Sequence, residues 1–308
     1  MAFGGSNVIL TNADTAGFVP EIWSDEIFAS KKANLVLATL VRRLSVKGKK
    51  GNVVNLPVPV RGSATAKAVN AVVTTITESG TALTVSLTNH WEYSRLIEDV
   101  VSIQANPSLR KFYTDDAGYA LAKRVDTELF DAARTLNSGT ADNAWDAAVI
   151  AGDGTTAFVD ASGNANATAI TDAGIRRVIQ VLDDADMPMN DRFLVVPPVG
   201  RRVMMGLARF TEQAFSGSGD PIRNGKLGMV YGMSVHATSN APTPSLATTA
   251  RIGLLAHRDA LVLAEVLGPR VQTQYKQEYL ATLLTADTIF GEGEVYNLGG
   301  VALAMPAA

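Results

Sequence analysis

The residues best suited to acid–base or metal chemistry in this sequence are its three histidines, His90, His236 and His257. They lie far apart, each in or beside a stretch with the alternation of a strand. None forms a metal-ligand pattern with a second histidine or a carboxylate. The setting indicates strand residues whose ring nitrogens bond to near neighbours, so the sequence predicts no histidine-based site.

Paired acids occur at Asp115-Asp116 and at Asp183-Asp184, both within predicted helices. Consecutive helical side chains point about 100° apart, so neither pair can converge on one metal ion or one proton. Asp287 lies in an apolar strand pattern, but a lone acid does not make a site. The acid pairs are therefore expected to lie on solvated helix faces, and general acid–base catalysis is not expected of these residues.

Three glycine patterns have the composition of a phosphate-binding loop: Gly152-Asp153-Gly154, Gly217-Ser218-Gly219 and Gly291-Glu292-Gly293. Such a loop needs a strand before it and a helix N-terminus after it, which none of them has. Cysteine is absent, which excludes disulfides and thiolate metal sites. The glycines predict turns, and no catalytic residue, cofactor or metal is expected.

A basic run without any acid lies between residues 42 and 50, and it consists of Arg42, Arg43, Lys47, Lys49 and Lys50. It contains no aromatic residue that could stack on bases, which disfavours a single-strand nucleic-acid platform. Three interpretations remain: a nucleic-acid contact, a contact with acidic patches on a neighbouring copy, or a solvated connection. The last two are favoured.

The composition narrows the class of protein. With a formal net charge of −3 over 308 residues, the chain lacks the basic excess of a non-specific nucleic-acid binder. No apolar run reaches the roughly 18 residues of a membrane span, and no basic residue precedes an apolar N-terminal segment, so a cytosolic setting is expected. Charged residues make up 19%, below the roughly 25% of a typical domain. This deficit predicts surfaces that other copies of the chain cover.

The elements that would position these residues begin with a polar arm at 1–30 and a short helical segment at 31–47. From Asn52 the hydrophobic period changes to two, but Pro57 and Pro59 forbid a central strand. A second alternating run at 83–88 is expected to pair with the first. Residues 48–92 therefore predict a long hairpin, which needs a supporting surface because an isolated hairpin is marginally stable.

A long helix is predicted for residues 106–138, starting at Asn106-Pro107 and ending at Asn137-Ser138-Gly139. Arg124 and Glu128 form an i,i+4 ion pair on one of its faces. At about 45 Å, the helix must run across one face of a domain. The Trp91-Glu92-Tyr93 cluster is expected at the hinge where the hairpin leaves the body.

The rest of the chain mixes short helices with strands. Helices are predicted at 172–187 and 199–207, a loop at 211–226, and strands at 192–196, 229–236, 251–257, 261–266, 278–290 and 295–305. Gly291 and Gly293 are expected to form the turn between the last two strands. Because helices and strands do not alternate regularly, the predicted class is α+β.

Several stretches resemble segments of one known family. They are Val19-Pro20-Glu21-Ile22-Trp23-Ser24, Lys31-Lys32-Ala33-Asn34-Leu35-Val36, the run from His90 to Asp99, the run from Tyr119 to Leu129, Gly228-Met229-Val230-Tyr231-Gly232-Met233, and the strands from Gly291 to Met305. In order and spacing they resemble the major capsid proteins of tailed bacteriophages, which have the Hong Kong 97-type fold. The resemblance is to the podophage and cyanophage-like branch, and it spans nearly the whole chain.

The resemblance implies an architecture and a function. The parts would be an N-terminal arm (1–30), the short helical segment (31–47), an E-loop (48–92), a peripheral domain (93–170) with a spine helix (106–138), an axial domain (171–266) and return strands of the peripheral domain (267–308). The chain would be no enzyme but a coat protein that self-assembles into hexamers and pentamers of an icosahedral head. The head would enclose double-stranded DNA without sequence-specific binding, and it would form in the host cytoplasm.

The resemblance also implies partners and interface residues. A separate scaffolding protein is expected, because no long scaffolding-like extension precedes the arm, together with a portal and in some members a decoration protein. The candidate subunit-interface residues are Trp23, Arg42, Arg43, Lys49, Lys50, Lys67, Trp91, Tyr93, Arg124 and Glu128. Lys67 is the E-loop lysine that covalent crosslinking would need, although crosslinking is not expected.

Two alternatives stand beside the capsid interpretation. An encapsulin-type nanocompartment shell shares the fold but would assemble alone around an enzyme cargo. A cytosolic enzyme would place a site between two domains. An enzyme cargo in the purified shell, instead of DNA, would indicate an encapsulin. A ligand-dependent shift of the melting temperature would indicate an enzyme.

Overall fold

The computed structural model describes residues 35–58, 62–73, 75, 81–99, 109–138, 145, 148–207 and 228–307. Several predicted features lie outside these residues. They are the arm with Trp23, the helix start at Asn106-Pro107, the loop at 211–226 and its Gly217-Ser218-Gly219 pattern.

The described chain forms helices and strands in a mixed order. The helices are α1 (Leu37–Leu40), α2 (Leu109–Ala132), α3 (Asp172–Asp184) and α4 (Pro198–Met205), with 3-10 turns at Ala133–Ser138, Gln277–Tyr279 and Asn297–Gly299. The strands are β1 (Arg42–Ser45), β2 (Val53–Val58), β3 (Thr81–Ser86), β4 (Asn89–Glu98), β5 (Ile150–Ala151), β6 (Arg192–Val196), β7 (Met229–Val230), β8 (Met233–Ala237), β9 (Ala250–His257), β10 (Leu261–Lys276), β11 (Ala281–Glu294) and β12 (Gly300–Pro306). The predicted α+β class is confirmed.

One sheet has four strands in the order β1-β10-β11-β4. Its centre is the long antiparallel pair β10 and β11, which a 3-10 turn at Gln277–Tyr279 connects. Strand β4 pairs antiparallel with β11, and β1 pairs parallel with β10, so that Arg42 lies opposite Val262. The sheet thus joins segments from the beginning, the middle and the end of the described chain.

This sheet corrects two predictions. The segment at 31–47 was expected to be helical, but the only helix in its described part is Leu37–Leu40, and Arg42–Ser45 is a strand because the edge of β10 offers it a partner. The turn expected at Gly291 and Gly293 is also wrong, because β11 continues through both residues. The chain reverses instead at the 3-10 turn Asn297–Gly299, which precedes β12.

The second sheet has six strands in the order β5-β12-β9-β6-β8-β7. All five residues of β6 are buried, in agreement with its apolar sequence. Helices α3 and α4 contribute Ile175, Val178, Leu182 and Met204 to a core on one face of this sheet. Thr171 caps α3 by accepting a hydrogen bond from the backbone N–H of Gly174, as its sequence position favours.

The long helix α2 packs against both sheets. Leu129, Phe130 and Leu136 share a buried core with Phe193 and Leu254 of the six-stranded sheet and with Leu261, Leu263 and Phe290 of the four-stranded one. The 24 residues of α2 span about 36 Å. The predicted end is confirmed, since Leu136 is extended and Asn137 has a left-handed backbone with φ of 56°.

The third sheet is the two-stranded hairpin of β2 and β3, which pairs Val53 with Ser86 and Val58 with Thr81. This pairing confirms that the two alternating runs are partners. The hairpin returns to the body through Val85 and Leu87, which are buried against Val262 and Ala264 of β10. Its outer loop, residues 62–73, is exposed throughout.

Sheet membership also bears on the predicted domain boundaries. The boundary between residues 266 and 267 falls inside the continuous strand β10. The range 267–308, predicted as one group of return strands, is divided between sheets, because β11 joins β10 and β4 whereas β12 pairs with β9. Within the described ranges, no helix is both long and apolar enough to cross a membrane.

Candidate functional site

The outer loop of the hairpin is the most exposed apolar segment of the described chain. Val69, Val72 and Val73 are 93%, 91% and 67% exposed, and Lys67 is exposed beside them. Scattered apolar side chains are normal on a surface, but a group of them on one exposed loop marks an interaction site. The loop therefore has the character of a contact surface that the described residues leave uncovered.

At the root of the hairpin, the structure brings together three of the predicted interface residues. The guanidinium carbon of Arg124 on α2 lies 3.9 Å from the centre of the Trp91 indole on β4. A nitrogen of the same group is 2.5 Å from Oε1 of Glu128, which confirms the predicted i,i+4 ion pair. A cation–π contact combined with an ion pair fixes the orientation of Arg124, so these residues join helix to sheet.

Tyr93 forms a second link between β4 and α2. Its hydroxyl donates a hydrogen bond to Oδ2 of Asp116 over 2.9 Å and accepts one from Nε of Arg95 over 3.0 Å. Burial raises the pKa of Tyr93, and the neighbouring Asp116 adds to the effect. The guanidinium carbon of Arg95 also lies 5.1 Å from the ring centre of Tyr113. The Trp91-Glu92-Tyr93 segment thus contacts the long helix next to the hairpin.

Three residues of the basic run form ion pairs with acids of the same chain. Nitrogens of Arg43 and Lys47 lie 3.8 and 3.9 Å from the carboxylate of Glu265 on β10. Arg42 is 3.9 Å from Asp259. Exposed pairs of this kind contribute about 0–1 kcal/mol each. Lys49 and Lys50 are exposed, so they are the members of the run best placed to meet another molecule.

Asp126 is a buried structural residue that the sequence pattern did not predict. It is fully buried on α2 and accepts hydrogen bonds from the backbone N–H of Leu37 over 2.8 Å and from the amide of Asn240 over 3.1 Å. Burial raises the pKa of its carboxyl group, whereas these hydrogen bonds oppose the rise. Asp126 thereby ties the chain entering from the N-terminal side to both the long helix and the loop after β8. The sequence signal for the burial of Asp126 was that it lies four residues before the core residue Phe130, and residues four apart share a helix face.

Asp287 is not a lone acid. Arg270, its direct partner across β10 and β11, donates to both carboxylate oxygens over 2.7 and 2.9 Å. His90 of β4 lies on the other side, with Nε2 3.4 Å from Oδ2. The hydrogen bond from Arg270 holds the pKa of Asp287 below its usual range. The three residues cross-link three strands of the sheet.

The other histidines bond locally. Nε2 of His236 lies 3.2 Å from the hydroxyl of Ser234, and Nδ1 of His257 accepts from the backbone N–H of Asp259 over 3.1 Å. Burial lowers the pKa of His236. Among the residues described, no group of three or more histidines and acids is placed to hold a metal ion.

A cleft of about 580 Å³ opens where the hairpin meets the body. Its walls come from β3, the end of α2 with the following 3-10 turn, and the end of β11; they include Leu83, Thr84, Asp131, Arg134, Glu292 and Glu294. The amide of Asn89 donates to both carboxylate oxygens of Glu292 over 2.7 Å. Burial raises the pKa of Glu292 to about 7, and the negative charges of Glu128 and Asp131 add to this rise.

Solved phage structures share the overall fold of this chain. The chain is similar to one from Mycobacterium phage Che8, with 20% identity and a TM-score of 0.71 over 93% of this chain and 97% of that one. It is also similar to the capsid of cyanophage P-SCSP1u, with 15% identity and a TM-score of 0.73 over 96% and 95% of the two chains. A third similar structure is the capsid of cyanophage Pam1, with 12% identity and a TM-score of 0.68 over 99% and 100%. The fold is thus a phage capsid fold of the Hong Kong 97 type.

The family model for the phage capsid protein matches residues 35–302, which include the hairpin, the long helix and most of both larger sheets. The chain therefore belongs to the phage capsid protein family, and its place is in the virion. No curated protein matches the sequence. These findings confirm the predicted resemblance, the fold and the major capsid function, and they do not favour the encapsulin alternative.

Proposed function

We propose that this capsid protein forms hexamers and pentamers of an icosahedral head, and that the hairpin loop lies on a neighbouring subunit. The observation that carries the proposal is the exposure of Val69, Val72 and Val73 on one loop of the hairpin. Covering apolar area releases about 25 cal/mol per Å². Many modest contacts of this kind add up to a stable closed shell.

The domain division belongs to the same proposal. Residues 1–30 act as the N-terminal arm, 48–92 as the E-loop, and the four-stranded sheet with α2 as the core of the peripheral domain. The six-stranded sheet with α3 and α4 is the core of the axial domain, and this domain therefore includes β12. This division follows the sheets rather than the predicted boundary at residue 266.

The remaining roles are those of a structural protein rather than an enzyme. The shell assembles in the host cytoplasm on a separate scaffolding protein, includes a portal and in some particles a decoration protein, and encloses double-stranded DNA. The DNA is enclosed without sequence-specific binding, and with a net charge of −3 the chain lacks the basic excess of a strong non-specific DNA binder. Subunits associate without a covalent crosslink at Lys67.

Electron microscopy of the chain expressed with and without the scaffolding protein of its phage tests the proposal. We expect closed, regular shells with five- and six-fold capsomers in the presence of scaffold. Particles purified from infected cells should contain nuclease-protected double-stranded DNA and uncrosslinked subunits. A chain that remains monomeric under all assembly conditions, or shells filled with an enzyme instead of DNA, would contradict it.

A further inference from the structure

The hairpin packs against one face of the segment Gly291-Glu292-Gly293 of β11. A Cβ atom on Gly291 would overlap the backbone oxygen of Ser86, and one on Gly293 would lie 3.2 Å from Cγ2 of Val85. We call Val85, Ser86 and Leu87 the hairpin base. Two glycines at alternate positions let the hairpin base approach the backbone of β11, which explains glycines in the middle of a strand.

Between the two glycines, the Glu292 side chain points to the opposite face, because side chains alternate along a strand. On that face lie the end of α2 and Asn89, whose amide contacts both carboxylate oxygens. The same three residues of β11 thus touch the hairpin base on one side and a half-buried group of carboxyl side chains on the other. Because the hairpin base packs directly on this segment, we expect a shift of the segment to shift the hairpin base.

The charged groups around Glu292 do not neutralise it. On α2, Glu128 is paired with Arg124, and in the next turn Asp131 is paired with Arg134. Both of these acids raise the pKa of Glu292, while burial is the largest cause.

Among the described residues, the β strands around Glu292 add no positive charge that faces it. On β11 itself, Glu294 is hydrogen-bonded to Thr135, and its own pKa is raised by burial. The neighbouring strand β10 places Leu263 opposite Glu292, and its nearest charged residue, Glu265, is engaged by Arg43 and Lys47. The hairpin contributes the uncharged Leu83 and Thr84 to the cleft.

We propose that Glu292 is a positioning residue whose protonation sets the angle between the hairpin and the body. A neutral carboxyl fits the cleft between α2, β3 and β11 at the width seen in the structure. An ionised carboxyl requires more water and is repelled by Glu128 and Asp131, so the cleft widens and the hairpin base moves with Gly291 and Gly293. The inference rests on the proposed function, because it concerns how the hairpin is aimed at a neighbouring subunit.

Cryo-electron microscopy of assembled shells at about pH 5.5 and about pH 8.5, either side of the carboxyl's pKa of about 7, tests this inference. In the wild type, we expect the angle between the β2–β3 hairpin and the four-stranded sheet to differ between the two conditions. Glu292→Gln should keep the low-pH angle at both. Glu278→Gln, an exposed carboxyl at the far end of the same sheet, should behave as the wild type.

A second variant keeps the native carboxyl. Asn89→Ala removes the donor that favours the ionised form, so the midpoint of the pH response should move to higher pH. Hydrogen exchange of residues 81–86, corrected for the intrinsic pH dependence, gives this midpoint. A residue with a merely structural role would not move it.

Each outcome of these measurements decides a question. A wild-type hairpin with the same angle at both pH values, a Glu292→Gln shell that changes as the wild type does, or an unmoved midpoint in Asn89→Ala would overturn the inference. Absence of shells from the wild-type protein would instead contradict the proposed function, so the two failures are distinguishable.

Discussion

Among single residues, Asp126 shows how a buried carboxyl can hold distant parts of the chain together. It accepts from the backbone N–H of Leu37 and from the amide of Asn240, so three segments meet at one side chain. We expect Asp126→Ala to lower the free energy of unfolding by about 2–4 kcal/mol, because buried donors lose their acceptor. Chemical denaturation of the unassembled subunit measures this.

Asp115→Ala is the control for this loss, since Asp115 is exposed on the same helix. It should change the free energy of unfolding by less than about 0.5 kcal/mol. Equal effects of the two substitutions would show that Asp126 acts through the helix alone and not through its hydrogen bonds.

The hydrogen bond between Arg270 and Asp287 should make the stability of the protein depend on pH. Arg270 lowers the pKa of its carboxyl, so folding favours the ionised form. The resulting stability is present above the unfolded pKa of Asp287 and is lost as the pH falls through its lowered folded pKa. In acid titrations of the unfolding midpoint, Asp287→Asn should flatten the dependence in this range, whereas Asp115→Asn should leave it as in the wild type. Parallel curves for wild type and Asp287→Asn would contradict the argument.

The residue scale also shows what the sequence can and cannot predict. The ion pair of Arg124 and Glu128 followed from helix periodicity, because both partners lie on one element. The partners of Asp126 and Asp287 could not be predicted in this way. Asn240 is 114 residues from Asp126, and Arg270 reaches Asp287 only through the register of two strands.

At the scale of elements, the glycines of β11 predict a steric effect. Gly291→Ala places a Cβ against the backbone of Ser86, which cannot move aside as a flexible side chain would. We expect a loss of about 2 kcal/mol in the free energy of unfolding and a displaced hairpin. Thermal unfolding measures the first effect, and hydrogen exchange of β2 and β3 measures the second.

Gly118→Ala is a matched control for Gly291→Ala. Gly118 lies in the exposed part of α2, and a Cβ there has no atom within 4 Å. Alanine is the better helix former, so this substitution should stabilise the protein by about 0.5–1 kcal/mol. If both substitutions shift the unfolding temperature in the same direction, the close approach of the hairpin base is not what requires glycine at 291.

Elements with strong periodicity were predicted well, and elements that depend on a partner strand were not. Helix α3 followed from its apolar face, strand β6 from its short apolar run before two prolines, and the β2–β3 pair from alternation. Strand β1 is too short to show its period, and it becomes a strand because β10 lies beside it. The glycines at 291 and 293 suggested a turn because the hairpin that packs on them is invisible in the local sequence.

For the whole molecule, the low charge content has a structural counterpart. Residues 62–73 are exposed throughout and have no core of their own. Replacing Val69, Val72 and Val73 with serine should leave the unfolding temperature of the subunit unchanged, because these side chains contact solvent. It should prevent or strongly reduce shell formation, which sedimentation measures.

Val159→Ser is the control for this triple variant, since Val159 is 60% exposed at a different place on the surface. It should assemble as the wild type does. Full assembly of the triple variant would argue against the loop as a subunit contact, and loss of assembly in the control would show that the assay responds to surface polarity in general.

The measurement that tests the central claim most directly is a cryo-electron microscopy map of the assembled shell at side-chain resolution. The account predicts that Val69, Val72 and Val73 are buried against a neighbouring copy of the chain, with the hairpin leaving its own body at Gly291 and Gly293. A shell in which this loop remains in solvent, or folds back on its own subunit, would contradict it.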